Sequence, residues 1–156
     1  MNDVINIAAY IAKRYLAEYK EEIDEMKLHK LLYFAQREAF ILLDQPLFKE
    51  NFYGWKYGPV LKEIRSAYKD NIFKTIVLKE IDKKYDPIFD KVFEEYAEKS
   101  SWSLSRLTHG ELSWKNSRKG VSEETNSDNI IKTTDIKKDA LRVKERRDML
   151  NKFKIS

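Results

Sequence analysis

Residues 24–43 constrain this chain most. Within them Met26, Leu28, Leu31, Leu32, Phe34, Ala35, Ala39, Phe40 and Leu42 recur at helical spacings and spread an apolar face around much of one α-helix. A helix with so broad an apolar face has to be surrounded, so it predicts the buried centre of a helical domain rather than a surface helix. Asp24 supplies an N-cap, Lys27 at the third helical position excludes a full capping box, and Pro46 marks the stop.

The flanking segments are read in the same way. Val4, Ile5, Ala8, Ile11, Ala12, Tyr15, Leu16 and Tyr19 form one stripe of a helix over residues 3–19, with Asp3 as its cap. Gly58-Pro59 predicts the start of a third helix, with Val60, Leu61, Ile64, Ala67 and Tyr68 inward, because proline at the first helical position has no amide to lose. Asp86-Pro87, as N-cap and first residue, predicts a fourth that fades near Lys99. Ser103 is placed to cap a short helix through Leu107 or His109, and Gly110 to end it in a left-handed conformation. Thr134 or Asp135 opens a last helix through about Leu150, with only a thin apolar stripe from Ile136, Ala140, Val143 and Leu150. Between these, residues 47–57 read as a loop or short hairpin, 73–81 as a strand or extended loop, and 117–128 as an exposed loop. The sum is a mainly α, single compact domain of about five to six helices with at most a small β element, and 156 residues suffice for one core.

Composition excludes several functions. The chain has no cysteine, hence no disulfide, thiol nucleophile or thiolate metal site. No run approaches the roughly 18 apolar residues of a membrane span, and residues 1–10 lack a basic start followed by a long apolar stretch, so a cytoplasmic protein without membrane contact is expected. The net charge of +4 is uneven: residues 132–156 hold nine Lys or Arg against four Asp or Glu, while residues 1–131 hold 21 against 22. The basic character therefore belongs to the C-terminal helix, where Lys137, Lys138, Arg142, Lys144, Arg146 and Arg147 are the candidate nucleic-acid contacts.

Residues 107–114 hold one of the two histidines beside a carboxylate and a tryptophan: Leu107, Thr108, His109, Gly110, Glu111, Leu112, Ser113, Trp114. They resemble catalytic equipment, yet the rest of the chain withholds what catalysis needs. There is no Gly-x-Ser-x-Gly elbow, and four glycines in all leave no phosphate-cradling loop. The His109-x-Glu111 pair echoes zinc deaminases, but that site requires cysteine ligands. No enzyme, cofactor or metal is expected. The sequence favours His109 as a fastener, donating to a backbone carbonyl and accepting from a hydroxyl in an irregular connection. Trp102 and Trp114 are expected in the core, since each can bury ~150–250 Å². The aromatic residues Phe52, Trp55 and Tyr57 serve equally as packing under a turn or as an interface.

Four pieces in order carry a family resemblance: Lys27-Leu28-His29-Lys30-Leu31-Leu32-Tyr33-Phe34-Ala35-Gln36; Pro46-Leu47-Phe48; Trp55-Lys56-Tyr57-Gly58-Pro59-Val60; and Leu104-Ser105-x-Leu107-Thr108-His109-x-Glu111-x-x-Trp114. Together they resemble the Panacea domain of SocA-like antitoxins and phage-associated GepA-type proteins. His29 and Phe34 stand where that family more often has Gln and Tyr. The resemblance covers residues 1–136 as the domain and leaves 137–156 as a basic helix or tail packed on it or extending from it. It implies a helical, non-enzymatic antitoxin that neutralises a cognate protein toxin, with some members presenting the toxin to an ATP-dependent protease. The expected toxin-facing residues are Phe52, Trp55, Tyr57, His109, Glu111 and Trp114, with Gly58, Pro59, Leu104, Leu107 and Thr108 maintaining the motif. The alternative is a phage or operon regulator that binds DNA through the basic helix. Nothing in the sequence sets an oligomeric state.

Overall fold

The computed structural model describes residues 2–155. Helix α1 (Val4–Tyr19) is capped by the Asp3 carboxylate, which accepts from the Ile5 amide, and α2 (Glu25–Leu43) by Asp24, which accepts from the Lys27 amide at 2.8 Å. A two-stranded hairpin follows, β1 (Tyr53–Trp55) and β2 (Gly58–Val60), then α3 (Lys62–Lys69), the single turn α4 (Ile72–Thr75), a 3-10 turn at Lys83–Tyr85, α5 (Asp86–Glu95), α6 (Ser101–His109), α7 (Leu112–Ser117) and α8 (Thr133–Ile155). Among the described residues this makes a mainly α fold of eight α-helices. The two beyond the expected five to six are the short α4 and α7, which hold too few residues to display a helical period.

Helix α2 is the axis of the molecule, with every residue from Lys27 to Ile41 buried. It packs against α1, α3, α5, α6, α8 and the hairpin. Burial on all sides traps its polar residues, and most of them are answered by partners beyond the helix. Lys27 Nζ donates to the Ala97 carbonyl at 3.0 Å, and the Gln36 amide pairs with the main chain of Leu47 and Phe48, accepting at 2.7 Å and donating at 2.9 Å. Gln36 thus acts as a one-residue strand partner that fixes the Leu47-Phe48 turn. Asn6 does the same for the extended segment after α4, exchanging two hydrogen bonds with the Lys79 main chain. Residues 73–81 accordingly form no strand: they begin as α4 and continue as extended chain pinned at one point.

Gly58-Pro59 does not open a helix. The hairpin register sets Trp55 against Gly58 and Gly54 against Pro59. The Gly54 amide is directed outward to the Asn129 carbonyl at 3.0 Å, so the Gly54–Pro59 pair exchanges no ladder bond and the missing proline N–H costs nothing there. Helix α3 starts only at Lys62, after Leu61. Other boundaries move less. Ser100, not Ser103, caps α6, its side chain accepting from the Ser103 amide, and Gly110 sits at φ −79°, right-handed, because the chain goes straight on into α7. Asp86 is the first residue of α5 rather than its cap, and α5 ends at Glu95.

Helix α8 begins at Thr133 and runs without interruption through residue 136, where the domain was expected to end. Its first half is built into the fold, with Ile136 and Ala140 in the core and Asp139 1% exposed. Its second half carries exposed Met149 and Leu150. No helix among the described residues is long and apolar enough to cross a membrane.

Candidate functional site

The hairpin, α6 and α7 converge on one joint. Two glycines make that approach possible. Gly58 has φ +123°, and a Cβ there would lie 2.7 Å from Thr108 Oγ1 and 2.8 Å from Lys30 Cε; a Cβ at Gly54 would overlap the Ser117 side chain. The hairpin is thereby pressed onto α6 and α7. Ser105 Oγ donates to the Tyr57 carbonyl at 2.8 Å, Trp114 Nε1 to the Trp55 carbonyl at 2.9 Å, and Arg118 Nη1 to the Gly54 carbonyl at 3.0 Å. Arg118 also donates to the Thr125 and Ser122 carbonyls, so one buried guanidinium organises the polar 117–128 loop. Past that loop, Ile131 N–H donates to the Phe52 carbonyl at 2.8 Å and gives the hairpin a short third partner.

His109, the last residue of α6, stacks on Trp114 with centroids 4.1 Å apart and planes at 14°. It fastens the joint by ring stacking and by a hydrogen bond with the Lys56 main chain, while Nε2 is buried with no hydrogen-bond partner, a hydroxyl included, among the described residues. Burial pulls its imidazole below the ordinary pKa, opposed by the adjacent Lys56 main chain. His29 lies elsewhere, its Nδ1 accepting from the Leu61 amide at 3.2 Å and its Nε2 facing Glu25 at 3.0 Å. Among the described residues no group of three or more His, Asp or Glu is placed to hold a metal.

Behind the joint lies a charged layer that sequence spacing gave no hint of. Glu111, 4% exposed, pairs with Arg37 of α2 and, at 3.2 Å, with Arg142 of α8. Burial pushes the Glu111 carboxyl above its ordinary pKa, against the pull of the two arginines. Asp139 of α8 accepts from the Leu112 and Ser113 amides at 3.0 and 2.9 Å, capping α7 from another helix, while Ser113 Oγ meets the Tyr33 hydroxyl at 2.7 Å. Glu38, fully buried on α2, is clasped by both terminal nitrogens of Arg147. Lys30, 1% exposed, has its ammonium pushed down to about 8 by burial.

The expected partner-facing residues separate accordingly. Phe52 is 1% exposed and packs edge-on to Tyr33 at 5.6 Å, so it belongs to the interior, as most of Glu111 does at 4% exposed. Trp55 and Trp114 are half-buried, Trp55 lying under Arg65 at 5.1 Å. Tyr57 is exposed and meets Trp102 edge-on at 5.3 Å. Trp102 was expected in the core but is 60% exposed. Helix α6 buries Leu104, Ser105 and Thr108, and at ~100° per residue position 102 falls on the opposite side from Leu104. Leu107 is exposed and Leu104 fully buried. Of the candidate nucleic-acid contacts, Arg142 and Arg147 are engaged with carboxylates, Lys138 lies 3.9 Å from Asp135, and Lys137 sits over the Phe40 ring at 5.5 Å; Lys144 and Arg146 are exposed.

No curated protein and no solved structure matches the chain. A family model does, over residues 28–115, from the buried axis α2 through the hairpin to the His109–Trp114 stack in α7. That span is more than half of the chain and contains the hairpin, α6 and the His109–Trp114 stack, so the chain belongs to the family of SocA-like antitoxins that share the Panacea domain.

Proposed function

We propose that the chain is a non-enzymatic, cytoplasmic antitoxin that binds a cognate protein toxin and neutralises it by direct contact. Family membership over residues 28–115 carries this reading. The surface offers a fitting contact in Tyr57 and Trp102, two exposed aromatic rings in edge contact on a hairpin and a helix held rigid from beneath. Aromatic residues dominate the energetics of protein interfaces and lose little entropy when already mounted on a frame. His109, Trp114 and Trp55 then act as that frame, and Glu111 with Arg37 fixes it to α2.

The alternative, DNA binding through α8, is weakened by the engagement of Arg142 and Arg147 with buried or partly buried carboxylates, which leaves few cations for phosphates. The test is genetic. The reading frame adjacent to the gene should arrest growth when expressed alone, and this chain should restore it. Rescue by the wild type that is lost in Trp102→Ala with an unchanged melting curve is the expected result. An adjacent product that is harmless, or an arrest that this chain does not relieve, refutes the proposal. Toxin levels during rescue distinguish occlusion, in which the toxin persists, from presentation to an ATP-dependent protease, in which it disappears.

A further inference from the structure

The segment 107–114 has a second side. Where His109 and Trp114 turn toward the hairpin, Leu107, Gly110 and Glu111 turn the other way and line a groove of about 610 Å³ between α5 and the outer half of α8. Six cationic side chains line it, from α2 (Arg37), α5 (Lys91) and α8 (Arg142, Arg146, Arg147, Lys154), against two carboxylates, Glu95 and Glu111. Both carboxylates are already committed, Glu95 to Lys91 and Glu111 to Arg37 and Arg142. Arg146 and Lys154 have no ion-pair partner among the described residues. Arg37 is almost entirely buried, yet its Nε has no hydrogen-bond partner. Apolar surface from Tyr96, Val143 and Leu150 separates the cations.

We infer that this groove is a docking site for an acidic, amphipathic peptide segment of the partner protein. The identification of the partner as the toxin rests on the antitoxin reading; the chemistry of the groove does not. Cations alternating with apolar surface suit a segment that brings carboxylates and leucine-like side chains together. Length agrees, since residues 142–154 span about 18 Å of helix, the reach of five or six extended residues at ~3.3 Å each. Nucleic acid fits worse. A duplex presents a charge every ~1.7 Å of axis, so about ten phosphates would lie along the same 18 Å, opposite only two cations without an internal partner.

The probe is a synthetic twelve-residue peptide of alternating Glu and Leu pairs, titrated by fluorescence anisotropy into the full chain, beside the same peptide with Gln for Glu and a twelve-base-pair duplex. The variant is Arg146→Glu with Lys154→Glu, which leaves every buried ion pair in place and should melt as the wild type does. Expected is saturable binding of the Glu peptide that weakens with salt, falls at least tenfold in the double variant, is unchanged in Trp102→Ala and is absent for the Gln peptide. Equal binding of the Glu peptide to wild type and double variant overturns the inference, as does tighter binding of the duplex than of the peptide. Peptide binding by a chain that relieves no growth arrest would retire the antitoxin reading and leave the groove standing. Full neutralisation by the double variant would retire the groove as the toxin's docking site and leave the antitoxin reading standing.

Discussion

Replacing Asp139 tests whether α8 is an integral part of this domain. The carboxylate is 1% exposed and accepts from the Leu112 amide at 3.0 Å, the Ser113 amide at 2.9 Å and the Tyr33 hydroxyl at 3.4 Å. It caps α7 from 26 residues away and ties α8 to α2 at the same point. Alanine leaves both amides without their acceptor, and each buried unsatisfied donor costs ~1–3 kcal/mol. Tyr33 keeps its bond to Ser113, Arg142 loses its 3.4 Å contact with Asp139 but keeps Glu111, and the desolvation cost of the carboxylate itself is returned. A net cost of about 3 kcal/mol results, which at ~2–4 °C per kcal/mol for a chain of this size lowers the melting temperature by roughly 6–12 °C. Asparagine, a good N-cap that retains one acceptor oxygen, should cost about half as much. Urea unfolding followed by circular dichroism, with thermal melts of both variants, measures these values. An alanine variant that loses less than about 1 kcal/mol, or an asparagine variant indistinguishable from it, would refute the capping argument.

Other perturbations follow from the same geometry. Burial holds His29 below its ordinary pKa of 6.5, and its Nδ1 already accepts from the Leu61 amide, so protonation has to break that bond. A base depressed in this way contributes stability that is present above 6.5 and lost as the pH falls through the lower folded value. His29→Gln keeps an acceptor but cannot titrate, so its melting temperature should fall less between about pH 7 and about pH 5 than that of the wild type; parallel curves would contradict this. Gly58→Ala combines a positive φ with overlap onto Thr108 and Lys30 and should cost about 2–4 kcal/mol by thermal melting. A loss under about 1 kcal/mol would show that the hairpin is not pressed onto α6 as described.

The sequence disclosed most where one local signal decided the outcome. The broad apolar face of α2 and the caps Asp3 and Asp24 could be read directly, because periodicity and capping involve neighbours three or four residues apart. Gly58-Pro59 was ambiguous in principle. A proline beside glycine suits both a helix start and an unpaired hairpin position, and the choice depended on Gly54 turning its amide to Asn129, a contact across 75 residues. Trp102 misled through its size, since α6 is short and its buried face is set by Leu104, Ser105 and Thr108. The charged layer was illegible for a related reason. Glu38–Arg147 joins residues 109 apart and Arg37–Glu111 joins residues 74 apart, and no short-range pattern marks either pair. Residues 107–114 run from α6 into α7 and link the hairpin to α2 and α8, with one side stacked and the other lining the basic groove.

The most direct test is calorimetric titration of the purified chain with the growth-arresting product of the adjacent reading frame. The account expects a saturable complex whose affinity falls about thirtyfold or more in Trp102→Ala or Tyr57→Ala, equivalent to at least ~2 kcal/mol at an interface hot spot. Both variants should melt within about 2 °C of the wild type, because Tyr57 and Trp102 are 44% and 60% exposed and neither belongs to the core. Growth rescue without any complex, or a complex whose affinity neither substitution changes, would contradict neutralisation through this aromatic face.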